Sequence, residues 1–341
     1  MREFGSDFHL IDNYRTDSGP QIKFNASFYA NGRQALGALI QHNAWKRIWV
    51  PEYFCYDVLK FIKQDIELVF YDDLPIHRDP IQLKYLPFKD NDVLLRINYL
   101  GLSDWQDNSE IPVEVIEDHS HDILGTWAQK SNADWSIASL RKTIPIPEGG
   151  MLWSPKNRAL PVAPKSTVAN EEVSSHRLNA MSLKRKYLNG ESISKEVIRN
   201  TFIETEHDLV NLKTSALDAS SFALLDQFDI RKWYAQKKIN LVELSSLNSK
   251  VKILKSEDLV KNNPFSFIMV FNDNHQREVI RQKLIKQDIY PAILWPIPQD
   301  RSVHIRHFSD TMLSLPCDAR YSLDEIKEIK AILEKVLAEA L

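Results

Sequence analysis

Three short stretches carry residue types that can do chemistry, at spacings that let them act together. In Val115-Ile-Glu-Asp118-His-Ser-His121 an apolar run ends in an acid, with a histidine three residues later. A carboxylate so placed can keep the nitrogen of a pyridoxal ring protonated, and an imidazole beside it can hydrogen-bond the ring's phenolic oxygen. In Ser139-Leu-Arg-Lys142 a lysine follows another β-branched run. A partly desolvated lysine has the lowered pKa that Schiff-base chemistry needs, and a serine three residues earlier can donate to a phosphate. In Ala30-Asn-Gly-Arg-Gln-Ala-Leu36, Gly32 opens a helix whose free N–H groups can hold a phosphate without any side chain. Each stretch alone also has a plainer reading: an ordinary helix start at Gly32, a helix cap at Asp118 beside a structural His121, and a Ser-x-x-Lys pair that recurs at Ser249 to Lys252 with no other active-site character nearby.

The elements that must position these residues read as a βαβ rhythm. Between residues 24 and 155, short apolar segments rich in β-branched and aromatic residues alternate with helical patterns, as in a parallel α/β sheet. Strands are expected at 47–51, 67–71, 93–97, 113–117, 135–139 and 151–153, with a helix at 56–63. All three chemical stretches then fall where strands end, the edge at which open α/β sheets bind ligands. Residues 165–250 are strongly helical; 218–244 read as one long amphipathic helix or two abutting ones, and Lys184-Arg185-Lys186 as a solvated helix face. The alternation returns on a smaller scale with a strand at 265–271, a helix at 275–287, a strand at 289–295, the segment 313–316 and a final helix over 323–341. The expected organisation is a large α/β domain, 1–250, that includes the helical segment 165–250, and a small C-terminal α+β domain, 251–341.

The 341 residues, 43% hydrophobic and 26% charged, are enough for a large core and exclude a disordered or fibrous chain. A net charge of −3 supplies no global field for nucleic acid or an anionic membrane, so neither is an expected partner. Two cysteines, Cys55 and Cys317, are too few for a disulfide scaffold or a four-cysteine zinc site, and no metal is expected. With neither a signal-peptide pattern nor a membrane-spanning run in view, the expected location is the cytoplasm.

Taken together and in order, the stretches resemble fold type I pyridoxal-phosphate enzymes, in particular the DegT-type sugar aminotransferase family. NGRQAL is similar to the family's Ser-Gly-Thr-x-Ala-Leu phosphate turn, and VPEYFCYDVLKFI to the following strand and helix that supply a ring-stacking residue. VIEDHSH resembles Val-Ile-Glu-Asp-x-x-Gln, SLRKTIPIPEGGMLW the Schiff-base lysine and its Gly-Gly turn, and LSLPCDARYSLDEIKEIKAIL the closing Leu-Ser-Leu-Pro and final helix. The resemblance covers nearly the whole chain and implies a large domain with a mostly parallel seven-stranded sheet between helices, plus a small C-terminal domain.

The resemblance also implies roles. Lys142 is the Schiff-base lysine, Asp118 the pyridine-nitrogen partner, and His121 the partner of the phenolic oxygen in place of the usual glutamine. Gly32, Arg33 and Gln34 supply backbone N–H groups to the phosphate, and Ser139 adds a hydroxyl, although the family serine stands two residues upstream, where this chain has Ile137. Phe54 is the favoured ring-stacking residue, with Tyr53 and Tyr56 as near alternatives and Cys55 where many members carry an aromatic. Asn211-Leu-Lys-Thr-Ser215 is similar to a degraded Asn-Tyr-Arg-Met-Ser, the segment that reaches a neighbouring subunit's phosphate site, which makes Asn211 a cofactor contact in a homodimer. The implied activity is amino transfer from an amino acid to a small keto acceptor, nucleotide sugars included. The open alternatives are a pyridoxal-phosphate lyase or dehydratase, or a fold kept as a non-catalytic binding or regulatory module. Arg301, Arg306 and Arg320 are candidates for pairing with substrate carboxylate or phosphate. Ser139-x-x-Lys142, Tyr187-Leu-Asn189 and Lys213-Thr-Ser215 also mimic the motifs of serine acyl-transfer enzymes that bind penicillin, but those place Ser-x-x-Lys at a helix start, whereas here prolines follow.

Overall fold

The computed structural model describes residues 3–17, 21–22, 24–77, 82–256 and 258–340. A two-residue strand β1 (Phe4–Gly5) precedes the sheet-forming run β2 (Ala26–Tyr29), α1 (Gly32–His42), β3 (Arg47–Pro51), α2 (Tyr56–Ile62), β4 (Glu67–Tyr71), β5 (Asp92–Ile97), β6 (Glu114–Asp118), α3 (Thr126–Lys130), β7 (Trp135–Ser139) and β8 (Gly150–Trp153). These make a seven-stranded sheet in the order β2-β8-β7-β6-β5-β3-β4. The run β4, β3, β5, β6, β7 is parallel, while β8 lies antiparallel to both β7 and β2. Strand β7 is buried at every position, as continuous apolar strands covered on both faces are. Leu36 and Leu39 of α1 pack with Ile48, Val50, Leu95 and Ile116 in the main core.

The helical segment is four helices, α4 (Val168–Leu188), α5 (Lys195–Asn211), α6 (Ala219–Asp226) and α7 (Ile230–Ser245). The break between α6 and α7 falls where Asp229 caps α7 by accepting from the Lys232 N–H, so 218–244 is two helices. Beyond it come β9 (Lys252–Leu254), β10 (Phe267–Val270), α8 (Asn274–Ile285), β11 (Ile289–Tyr290), α9 (Val303–Thr311), β12 (Met312–Leu315) and α10 (Leu323–Ala338). Strands β12-β10-β9 form an antiparallel sheet whose Met269 and Leu313 share a core with Ile326, Ile329 and Leu333 of α10. Ile305 and Phe308 of α9 belong instead to the core that holds Tyr53 and Phe54, so the small sheet's side reaches the large sheet. No helix among the described residues is long and apolar enough to cross a membrane.

Two expectations need correction. The strand expected over 289–295 is only Ile289–Tyr290, because Pro291 has no N–H to offer a ladder. The Lys184-Arg185-Lys186 run is not a wholly solvated face: Lys184 is buried, pairs with Glu3 at 2.8 Å and donates to the Asp7 carbonyl at 2.7 Å. With Arg320, which donates to the carbonyls of Gly5, Ser6 and Asp7, it straps the N-terminal segment in place beside the parallel β1–β11 pair. Gly5 is required there: its φ is +96° and a Cβ would stand 2.4 Å from the Tyr290 carbonyl oxygen.

Candidate active site

The ends of β2, β6 and β7 meet at one cavity of about 160 Å³, walled by Asn31, Gly32, Arg33, Phe54, Cys55, Asp118, Ile137, Ser139, Arg141 and Lys142 among others. Local geometry explains the convergence. The Gly149 N–H donates to the Ala30 carbonyl at 2.7 Å, and the Leu140 N–H to the Gly149 carbonyl at 2.9 Å, so the Glu148-Gly149-Gly150 turn ties the start of α1 to the Lys142 segment. Backbone packs closely at both ends of this tie. A Cβ on Gly150 would fall 2.2 Å from the Asn31 carbonyl oxygen, and one on Gly32 would fall 3.1 Å from Ser139 Cβ.

Asp118 closes β6 with only 8% of its surface exposed, and its Oδ1 accepts from the Ser120 N–H at 2.8 Å. Ser120 in turn accepts from the Ser139 N–H at 2.8 Å, which fixes the ends of β6 and β7 against each other. Lys142 ends a single 3-10 turn, Leu140–Lys142, and its Nζ lies 5.4 Å from the centroid of the Trp295 ring. Because that turn is not an α-helix, and no hydrogen bond joins Ser139 Oγ to Lys142 Nζ among the described residues, nothing here supports the acyl-transfer reading.

His121 is buried but does not line the cavity. Its Nδ1 accepts from the Leu100 N–H at 3.0 Å, and its ring lies nearly parallel to Trp295 with centroids 5.6 Å apart. Burial, then the charges of Lys142 and Lys237, hold its pKa well below the usual histidine range, so the ring is neutral and Nε2 carries the proton. Phe54 lines the cavity with Trp295 edge-on at 6.1 Å. Tyr53 is buried behind it with its hydroxyl on the Leu294 carbonyl, and Tyr56 turns away to stack on Phe70.

Two expected cofactor contacts are placed differently. The Gln34 N–H donates to the Asn31 side chain, which caps α1, and the Gln34 amide clasps the chain at Lys213 and Ser215. Among the described residues no acceptor meets the Gly32 and Arg33 N–H groups, so two backbone donors remain rather than three. Asn211, exposed at the end of α5, donates to the His207 carbonyl one turn back and does not reach this chain's own cavity. Of the three arginines considered for substrate, Arg301 lies over Phe70 and pairs with Asp300, Arg306 donates to Gln299 and the Arg301 carbonyl, and Arg320 is held by Asp318.

A second cavity, about 440 Å³, adjoins the first and shares Arg141 and Lys142 with it; Phe8, Arg177, Phe202, Lys237 and Tyr290 are on its walls. Between the two lies a charge cluster that no local sequence pattern announced. Glu206 of α5 meets Arg141 at 2.7 Å, Arg177 at 3.4 Å and Arg33 at 3.6 Å.

This architecture is the fold of type I pyridoxal-phosphate-dependent aminotransferases. Across 99% of this chain and 100% of the other, it superposes with a TM-score of 0.67 and 14% identity on a protein of Streptococcus pneumoniae described as a sugar aminotransferase and solved in its PLP form. PseC of Helicobacter pylori, an aminotransferase in pseudaminic acid biosynthesis, gives 0.65 at 13% identity over 99% of this chain and 100% of its own. A DegT DnrJ EryC1 StrS aminotransferase of Brucella abortus gives 0.57 at 13% identity, covering 93% of this chain and 87% of its own. Neither a family model nor a curated relative matches the sequence.

Proposed function

We propose that the chain is a pyridoxal-phosphate enzyme of the DegT type, an aminotransferase that moves an amino group from an amino acid to a small keto acceptor. The observation that carries this reading is the cavity itself, in which a helix N-terminus with two free N–H groups, a strand-end carboxylate and a lysine face one space. The donor set fits the coenzyme part by part. Gly32 and Arg33 N–H, the helix dipole and the Ser139 hydroxyl suit a phosphate. Asp118, with Oδ1 engaged by a backbone N–H, offers Oδ2 to a ring nitrogen, and Phe54 offers an aromatic face. His121 stands outside the cavity wall, and with Nδ1 already an acceptor it has only its Nε2–H to give, the polarity a phenolic oxygen requires.

When bound, pyridoxal phosphate supplies an electron sink for charge developing at a substrate's Cα. Asp118 holds a proton on the ring nitrogen by charge pairing. Lys142 Nζ is the amine placed to attach the coenzyme and, once free, to take the proton from Cα. Trp295, stacked over His121 and close to Lys142, covers that side of the site against water. The aminotransferases that share the fold make a sugar acceptor the best candidate, nucleotide sugars included.

The reading includes a homodimer, in which the exposed Asn211 would exchange its contact with the His207 carbonyl for a second copy's phosphate seat. Light scattering that finds an active, coenzyme-loaded monomer overturns that part. A cytoplasmic location fits the free Cys55 and Cys317. The deciding experiment is an absorption spectrum of the purified protein with pyridoxal phosphate, before and after glutamate. A coenzyme band that glutamate shifts supports amino transfer, and no band at all defeats the proposal.

A further inference from the structure

The Glu206 cluster is poorly explained as a fold-stabilising ion pair. Three guanidinium groups share one carboxylate, and that carboxylate is the most solvent-accessible member: its side chain is 42% exposed, against 9% for Arg33 and 7% for Arg177. Arg177 is also held independently of it. Arg177 donates to Thr205 Oγ1 at 3.3 Å, lies over the Phe202 ring at 5.3 Å and pairs with Asp7 at 3.1 Å. Among the described residues Glu206 is the one ion-pair partner of Arg33, in the first turn of α1, and of Arg141, on the 3-10 turn that carries Lys142. The Nε of Arg141 is buried without a partner, an unused donor between the two cavities. Burial opposes the Glu206 charge, yet Arg141, Arg177 and Arg33 hold its pKa below the usual carboxylate range; burial and Arg141's charge lower the pKa of Arg177. The cluster therefore has more positive charge than it neutralises, beside the lysine assigned to catalysis.

We propose that Arg33, Arg141 and Arg177 form a binding site for a carboxylate or phosphate group of a substrate, and that Glu206 is a resident counter-ion which swings out when that anion arrives. The site deepens the functional reading above and rests on it for the word substrate, but anion binding is independent of it. Arginines bind such groups through paired N–H donors, and the half-buried Glu206, with the most accessible side chain of the cluster, has room to turn toward solvent. Holding the site with its own carboxylate keeps buried guanidinium groups from standing unpaired while the site is empty, which would be costly. It also sets a threshold for entry, since a monoanion must displace a charge equal to its own whereas a dianion gains on the exchange.

The test uses coenzyme-loaded protein titrated calorimetrically with inorganic phosphate and, separately, with succinate, so that the two arms distinguish a phosphate group from a carboxylate. Glu206→Gln is expected to bind the preferred anion about tenfold more tightly than wild type, and Arg177→Met about tenfold more weakly. Arg177→Lys, which keeps the charge but not the fork, should fall between them, and melting curves identify any variant that has lost its fold. Unchanged or weakened binding in folded Glu206→Gln overturns the proposal. So does anion binding that disappears when pyridoxal phosphate is loaded, because the site would then be only the coenzyme's own phosphate seat. If the protein never takes up pyridoxal phosphate yet the variants shift anion affinity as expected, the functional reading fails and the anion site stands.

Discussion

Asp118 is where one substitution separates chemistry from architecture. Its Oδ1 accepts from the Ser120 N–H, a contact that the asparagine side-chain oxygen reproduces, so Asp118→Asn should fold and melt like wild type. What asparagine cannot do is hold positive charge on a ring nitrogen, and removal of the substrate Cα proton should slow roughly 100-fold or more in single-turnover measurements with saturating amino donor. Equal rates would leave Asp118 a turn residue. Lys142→Ala should abolish the borohydride-reducible link to the coenzyme, whereas Lys252→Ala, exposed on β9, should leave it intact; the reverse result would mean that the wrong Ser-x-x-Lys was chosen. That Asp118 and Ser139 close strands, with Lys142 in the turn just beyond, was legible in the sequence because the ends of apolar runs are visible locally. That Asn31 caps α1 and engages the Gln34 N–H could also be read locally, since asparagine directly before a helix is a strong capping residue. Arg177 and Glu206 were not: they are far apart on α4 and α5, and only the packing of those helices brings them to Arg141.

Among the elements, the two-glycine turn before β8 is the one that sets the site's dimensions. Gly150→Ala would drive a methyl group into the Asn31 carbonyl, and since backbone cannot yield as a side-chain tip does, about 3 kcal/mol of stability should be lost. Thermal melting checks the magnitude, and a variant as stable as wild type would show that β2 and β8 are not clamped this closely. Strands β3, β4 and β7 lie where the apolar runs put them, β5 starts one residue earlier than expected, and β6 is shifted by one residue at both ends. These runs were readable because both faces of the sheet are covered, which leaves little alternation to misjudge. The short β2 carried no such run, and its pairing with β8 depends on partners more than 100 residues away. The segment after β11 failed for a local reason that Pro291 already contained.

For the whole molecule, pH tests how the N-terminal segment is fastened. Burial would raise the Glu3 pKa, but Lys184 and Lys195 outweigh it and bring it from 4.5 down to about 2. A depressed carboxylate contributes stability that is fully present above its unfolded pKa of 4.5 and is lost as pH falls toward 2. Glu3→Gln should therefore cost on the order of 3 kcal/mol at neutral pH, with the gap to wild type closing as pH falls from 5 to 2. Melting curves across that range decide it, and a gap independent of pH would assign the loss to packing. The same fastening bears on the order in which the molecule is made. Residues 26–153 hold every strand of the seven-stranded sheet, and they leave the ribosome long before Ile289, Tyr290 and Arg320, the residues that receive Phe4, Gly5 and the carbonyls after them. Gly5 and Phe8 are walls of the larger cavity, so a segment made before the sheet can close that cavity only after Tyr290 and Arg320 have been made as well.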